Sequence, residues 1–266
     1  MTKLFNRVVE VITGDLRFNN TDLDIEFNIP FDDDLEPNLS DLTIYNLSST
    51  TRNKLKRGQL ITVNAGYKDD KGVILSGYID YVTSSLKGTD RSTLIKVIDS
   101  QPFNSKKTLQ KSFKQKIKAD QLIRELAKAI NLKIAVIKLP NNIIYKKGFS
   151  IDDVVIKKIQ DIAKDCGASA YISRSQAYIR SIKDGDNHRF VLNSDTGLVE
   201  SPEYFEEEKD GKTIKGYKAK SLLQYRMNTA SIIELQSVET KSKVRVRKGK
   251  HICNGSSFYT EVEAIL

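Results

Sequence analysis

Leu60-Ile-Thr-Val-Asn-Ala-Gly-Tyr67, Lys68-Asp-Asp-Lys-Gly72 and Val73-Ile-Leu-Ser-Gly-Tyr-Ile-Asp-Tyr-Val-Thr83 read in succession as an alternating run, a polar turn closed by glycine, and a second alternating run. Alternation of apolar and polar side chains puts one face of an extended chain into a core and the other into solvent. A second turn near Lys87-Gly-Thr-Asp90 leads into a third run, Ser92 to Asp99, so the three segments form a meander. Working outward toward the N-terminus, Val8 to Ile12, Leu23 to Phe27 and Leu42-Thr-Ile-Tyr-Asn-Leu47 keep the same period, and the stretch Ser48 to Gly58 is polar. About six strands in the first hundred residues predict a small β-barrel or sandwich over residues 1–100. No helix of three turns is expected before about residue 118.

Beyond that point the period changes. Ala119, Leu122, Ile123, Leu126, Ala127 and Ile130 fall at i, i+3, i+4, i+7, i+8 and i+11, a single apolar stripe on a helix. Ser150 and Asp153 resemble a capping box for a second helix, with Ile151, Val154, Val155, Ile159, Ile162 and Ala163 as its stripe and Gly167 as its stop. Leu132 to Leu139, Ala170 to Ser173 and Gln176 to Ser181 are strand-like. Residues 101–183 therefore read as a compact α/β unit whose two helices pack on a short sheet. The chain then returns to strands over residues 184–266: Leu198 to Phe205, an acidic turn from Glu206 to Gly211, then Tyr217 to Leu223, Ser231 to Leu235, Lys243 to Val246 and Phe258 to Ala264. The predicted class is mainly β with an α/β insertion, two small β-barrel domains flanking a compact α/β domain.

Composition narrows the functional classes. The chain has 266 residues, 39% of them hydrophobic, and a formal net charge of +9, with 14 Gly and 5 Pro, which argues against disorder and low complexity. No apolar run approaches the length of a membrane span, and Arg7 and Glu10 interrupt what a signal peptide needs, so a soluble chain folding in the cytoplasm is expected. The charge is unevenly placed: residues 1–100 carry 12 basic and 15 acidic groups, 101–183 carry 18 and 6, and 184–266 carry 13 and 13. The middle unit alone is strongly basic. Such a field attracts polyanions at low salt, although a lysine-rich solvated face is the favoured account of it and no aromatics interleave with the lysines.

The residues offer no catalytic constellation. His188 lies in the turn Asp184-Gly-Asp-Asn-His188 and His251 follows a basic strand, each read as a surface or capping imidazole. With Cys253 so near His251, no zinc set forms, and Cys166 and Cys253 read as ordinary thiols without a disulfide. Asp32-Asp33-Asp34 lacks calcium-loop spacing and reads as a solvated loop, as does the run Glu206 to Glu208. No glycine-rich phosphate loop is present. No cofactor and no metal are expected, and the chain is not expected to be an enzyme.

The C-terminal third carries a resemblance. Ser201-Pro-Glu-Tyr204, Gly216-Tyr-Lys-Ala-Lys-Ser-Leu-Leu223, Ile232-Ile-Glu-Leu235, Val244-Arg-Val-Arg247, His251 and Phe258-Tyr-Thr-Glu-Val-Glu-Ala264 stand in an order that resembles the closing barrel of bacteriophage tail (baseplate) hub proteins and the hub/spike proteins of contractile injection systems. Leu55-Lys-Arg-Gly58, Val63-Asn-Ala-Gly-Tyr67 and Val73-Ile-Leu-Ser-Gly77 are similar to their first barrel. The chain departs from that pattern at Thr229-Ala230-Ser231, where a Gly-Asp is frequent, and at Phe258, where many members carry Trp. The resemblance implies a structural virion tail component assembled in the host bacterial cytoplasm, a homotrimer adapting a hexameric tail tube or distal tail protein to a trimeric spike or tip. It further implies a central channel through which DNA passes without specific binding. Arg245, Arg247, Lys248 and Lys250 are the candidate inter-subunit or lumen-facing residues, against the plainer reading of charges in water beside inward Val244 and Val246. A basic nucleic-acid-binding module and a tail-associated cell-wall hydrolase are the competing classes.

Overall fold

A computed structural model describes residue 4 and residues 6–184, 189–209 and 212–266. The first part holds β1 (Arg7–Thr13), β2 (Leu16–Asn19), β3 (Ile25–Phe31), β4 (Leu39–Tyr45), the short helix α1 (Ser49–Lys54), β5 (Leu60–Tyr67), β6 (Asp70–Lys87) and β7 (Asp90–Ile98). The middle holds β8 (Thr108–Phe113), β9 (Ile117–Lys118), α2 (Ala119–Ala129), β10 (Ile134–Lys138), β11 (Ile144–Tyr145), β12 (Phe149–Val154), α3 (Val155–Asp165), β13 (Ser169–Ser173) and β14 (Gln176–Arg180). The last part holds β15 (Arg189–Leu192), β16 (Glu203–Lys209), β17 (Lys212–Leu222), β18 (Ile232–Gln236), β19 (Lys241–Asn254) and β20 (Ser257–Ile265).

The meander read from residues 60–99 is present as antiparallel β5, β6 and β7, with Tyr67 opposite Asp70 and Lys87 opposite Asp90 at the turns. Its inward residues Ile61, Val63, Ile79, Ile95 and Val97 pack with Val9, Val11, Leu42 and Ile44 into a first core. Two barrels are not what the pairing gives. All the strands of the first and last parts belong to one 13-stranded sheet, ordered β16-β17-β20-β19-β3-β4-β7-β6-β5-β1-β2 with β18 and β15 branching from β19, and no closed barrel occurs among the described residues. The seam is β3 against β19, where Phe27 faces Cys253, Ile29 faces His251 and Phe31 faces Gly249. β19 is long enough, at 14 residues, to pair with β18 and β20 and still reach β3. Strand lengths thus join the halves that each read as a separate barrel.

The cores follow the same logic. Phe258 and Leu223, from the last part, complete the first core, while Phe31, from the first part, enters a core with Val244, Val246, Val262 and Ala264. Leu35, fully buried, inserts into the core of the α/β unit with Leu122, Leu126, Ile159 and Ile162. The stretch Asp32–Asp34, read as a solvated loop, is therefore a junction: Leu35 anchors it by burying an apolar side chain worth about 2 kcal/mol.

Within the α/β unit, α2 buries the expected stripe Ala119, Leu122, Ile123, Leu126 and Ala127. Lys118 at its start supplies no capping side chain; Asn142 does, its Oδ1 accepting from the Asp120 amide at 3.1 Å. The capping box proposed for α3 does not form. Residues 149–154 pair with β8 instead, Ser150 bonds Ser112 at 3.0 Å, and the helix starts at Val155. Six residues of cross-strand pairing satisfy the backbone over that segment, so an earlier helical start would forfeit those bonds. The stop at Gly167 holds, with φ +75° just past the helix. Among the described residues no helix is long and apolar enough to cross a membrane.

The C-terminal strands shift relative to the sequence reading. Leu198 makes only an isolated bridge to Ser221, and the strand begins at Glu203 and runs through Glu206–Glu208. Those three glutamates, read as a turn, are held extended by β17, with Glu206 ion-paired to Lys215 at 3.2 Å. His188 lies outside the described residues.

Candidate functional site

The face of β17, β20 and β19 carries a charge ladder. Strand alternation places Lys218 and Lys220, Glu263 and Glu261, and Lys248 and Lys250 in two rows across the three strands: Lys218–Glu263–Lys248 and Lys220–Glu261–Lys250. Lys248 Nζ stands 3.2 Å from Glu263 Oε2 and Lys250 Nζ 3.1 Å from Glu261 Oε2. Glu200 meets Lys220 at 3.4 Å and Glu203 meets Lys218 at 4.0 Å, extending each row by one carboxylate. Opposite charges across strands contribute about 0.2–1 kcal/mol per pair, so the ladder does more for register than for stability.

A groove of about 560 Å³ runs over this face, floored by Pro30, Phe31 and Gly249. Gly249 is fixed by contact: a Cβ there would come within 2.3 Å of the Glu261 carbonyl oxygen and 2.6 Å of Phe31 Cζ. The absent side chain is what lets the Phe31 ring lie on the sheet. That ring also stands 5.1 Å from the His251 ring.

Of the four basic residues singled out in the sequence, Lys248 and Lys250 reach the groove and Arg245 and Arg247 do not line it. Arg245 donates to the carbonyls of Ala230 and Lys183. A register shift between Val246 and Lys248 leaves Arg247 out of the alternation and turns it inward, where it is 7% exposed. Glu207 Oε1 lies 2.6 Å, Asp33 Oδ2 3.5 Å and Glu263 Oε1 3.8 Å from its guanidinium. Burial works against its charge, yet these three carboxylates outweigh that and hold its pKa above the ordinary arginine value. The signal was in the sequence: in Val244-Arg-Val-Arg-Lys248 the alternation fails at Arg247-Lys248, the mark of a bulge.

His251 is neither a surface nor a capping imidazole. It is fully buried, its Nδ1 is 2.9 Å from Thr260 Oγ1, and its Nε2 has no hydrogen-bond partner among the described residues. Burial pushes its pKa down to about 3, so the ring is neutral. Thr260 Oγ1 also accepts from the Gln224 amide at 2.9 Å, tying the β17–β18 connection to β20. Cys253 donates to the Ile25 carbonyl at 3.4 Å, and burial pushes its thiol up to about 11; Cys166 is buried, and both cysteines are free thiols. At the loop that holds Asp33, the Asn38 amide and side chain bond Asp99 at 2.8 and 3.2 Å, while burial still pushes Asp99 up to about 7. Among the described residues no group of three or more His, Cys, Asp or Glu could hold a metal ion. The arrangement orders charges and strands; the hydroxyl that stands beside an imidazole, Thr260 at His251, is fully buried together with it.

A sequence model described as "Baseplate hub gp41" matches residues 31–240. The chain belongs to the baseplate hub gp41 family. This hub is thus a structural component of a phage tail, and the resemblance read from its C-terminal strands holds. A search of curated proteins returns no match. Among solved structures, the hub is similar to a tail protein from Neisseria meningitidis MC58 at 10% identity and a TM-score of 0.69, over 98% of the hub and 97% of that chain. The 43 kDa tail protein of prophage MuSo2 from Shewanella oneidensis gives 10% identity and a TM-score of 0.65, over 97% and 98%. The E. coli c3393 protein, a type VI secretion component described as structurally similar to T4 tail proteins gp27 and gp5, gives 10% and 0.65, over 96% of the hub and 76% of that chain. At such identity these likenesses establish the fold.

Proposed function

We propose that the hub acts without catalysis as a homotrimer that adapts a hexameric tail tube to a trimeric spike or tip and lines the central channel. The observation that carries this reading is the open sheet: among the described residues β16 and β2 each pair on one side only, and such edges are liabilities that symmetric assembly covers. The kinship to a type VI secretion component described as similar to gp27 and gp5 supports a spike-bearing partner. In this reading the chain is organised as an N-terminal β unit (1–100), a basic α/β unit (101–183) and a second β unit (184–266), the outer two building the ring around the channel. Three apolar cores, each drawn mostly from one of these parts, support that division, although Leu35, Phe31, Leu223 and Phe258 cross between them. Lys248 and Lys250, half-exposed in their groove, face the neighbouring subunit.

Light scattering on the purified chain, at low and at moderate salt and with and without duplex DNA, tests the reading. A particle of three subunits indifferent to DNA is the expected result. A monomer whose mass shifts on DNA at low salt overturns it in favour of a basic nucleic-acid-binding module, and cell-wall lysis by the purified chain overturns the non-catalytic part.

A further inference from the structure

The excess positive charge of the α/β unit is not spread evenly over its neighbours. Lys111 is paired with Glu125 at 3.1 Å, Lys138 with Asp184 at 3.2 Å and Lys158 with Asp161 at 3.0 Å. Arg124 in the middle of α2, Lys128 one turn further on, and Lys133, just before β10, are exposed, and among the described residues no carboxylate lies within ion-pair distance of them. These three cations rim a cleft of about 470 Å³ that contains no acidic residue and is floored by Ala127, Leu132 and Ile134. Ala127 and Leu132 are 2% and 8% exposed, so the floor belongs to the unit's own core and is rigid.

The cleft opens at the first residue of β10, and β10 is an outer strand: its three-stranded sheet runs β10-β14-β13, with β10 parallel to β14 on one side and, among the described residues, unpaired on the other. An outer strand presents a row of backbone donors and acceptors to any extended chain that reaches it. Ala135, exposed between half-buried Ile134 and Val136, is skipped in the pairing with β14, so the regular stretch of that edge runs from Val136 to Lys138. Cationic rim, apolar floor and open strand edge occur together at one place.

We propose that this cleft receives an extended acidic segment of a partner protein, which sets an apolar side chain on the Leu132–Ile134 floor, pairs its carboxylates with Arg124, Lys128 and Lys133, and continues the sheet at β10. A nucleic acid fits the site less well. No aromatic ring lines the cleft for a base to stack on.

The test uses the full-length hub and three fluorescein-labelled probes: a short peptide alternating Glu with Val, a peptide of equal charge interrupted by Pro so that it cannot pair as a strand, and a single-stranded DNA oligomer. The native hub is expected to bind the alternating peptide in preference to the other two. Arg124→Glu/Lys128→Glu/Lys133→Glu is expected to weaken that binding about tenfold or more, whereas Lys114→Glu/Lys146→Glu/Lys147→Glu, an equal charge change elsewhere on the unit, weakens it less than about threefold. All six positions are exposed, and unchanged far-ultraviolet dichroism confirms folding of both variants. The proposal is overturned if the native hub binds none of the probes, if the two variants lose affinity equally, if the Pro-interrupted peptide binds as tightly, or if DNA binds more tightly with the same dependence on the cleft residues.

Discussion

Arg247 owes its burial to the register slip beside it, and that slip makes it the counter-charge for three carboxylates from three parts of the chain: Asp33 after β3, Glu207 on β16 and Glu263 on β20. Replacing it with Met strands those carboxylates together. Because Glu207 and Asp33 retain solvent, the expected loss is about 2–3 kcal/mol, below that of a fully buried pair. Arg247→Lys recovers only part of it, since one ammonium cannot reach three partners in a plane; urea denaturation of the two variants checks both values. His251 and Asp99 set a second residue-scale expectation. Burial lowers the His251 pKa from 6.5 to about 3, so the unfolded chain takes up a proton there that the folded one refuses, and this contribution to stability is lost as pH falls below 6.5. Asp99 has the opposite sign: raised from 3.8 to about 7, it holds a proton in the folded state that the unfolded state releases, so its contribution is lost as pH rises from about 4 to 7. Between about pH 4 and 6.5 the two slopes oppose one another. Asp99→Asn should therefore gain stability with rising pH relative to wild type, by up to about 1.4 kcal/mol per pH unit in that window, and His251→Gln should lose it. Chemical denaturation at several pH values reads the difference, and parallel curves for all three proteins would refute it.

At the scale of elements, side-chain period was the readable quantity, and partner choice was not. The α2 stripe and the β5–β6–β7 meander depend on residues close in sequence, and both appear where the pattern puts them. The start of α3 was misread because Ser150 and Asp153 satisfy a local rule while β8, some forty residues earlier, offers backbone partners that outweigh it. The charge ladder was half legible: Lys248 and Lys250 stood out as a basic run, but Glu261, Glu263, Lys218 and Lys220 become their neighbours only through pairing. Gly249 is the element-scale weak point of that ladder. An added Cβ meets the Glu261 carbonyl, which is backbone and cannot swing aside, so Gly249→Ala is expected to cost about 1–3 kcal/mol and to leave the Lys250–Glu261 register disturbed. Thermal denaturation reads the first effect, and amide chemical shifts of β19 and β20 read the second. An unshifted midpoint would mean that the strands separate more easily than their pairing implies.

At the scale of the whole molecule, the two β parts that the sequence presents as separate are one structure, joined by contacts between residues about 150 to 250 positions apart, a separation that no local pattern encodes. β3 pairs with β19, Arg226 bridges to Asp70 at 2.7 Å, and the Tyr225 ring occupies the space left by Gly72. Phe258, fully buried, packs edge-on against Tyr67 at 5.6 Å and Phe27 at 6.4 Å, with the Arg7 guanidinium 5.4 Å over its ring. Truncating this one side chain in the last strand therefore empties a hole in the core of the first part. Phe258→Ala is expected to cost about 3–5 kcal/mol, the range for a large buried aromatic whose surroundings relax only in part. Its distinguishing signature is where the loss falls. If β1, β3 and β5 form one cooperative unit with β19 and β20, hydrogen exchange in Phe258→Ala quickens at Val9, Val63 and Ala65 as much as at Val262, whereas the α2 and α3 amides, which rest on their own core, change less. Exchange that quickens only in β19 and β20 would show instead that the two β parts open independently.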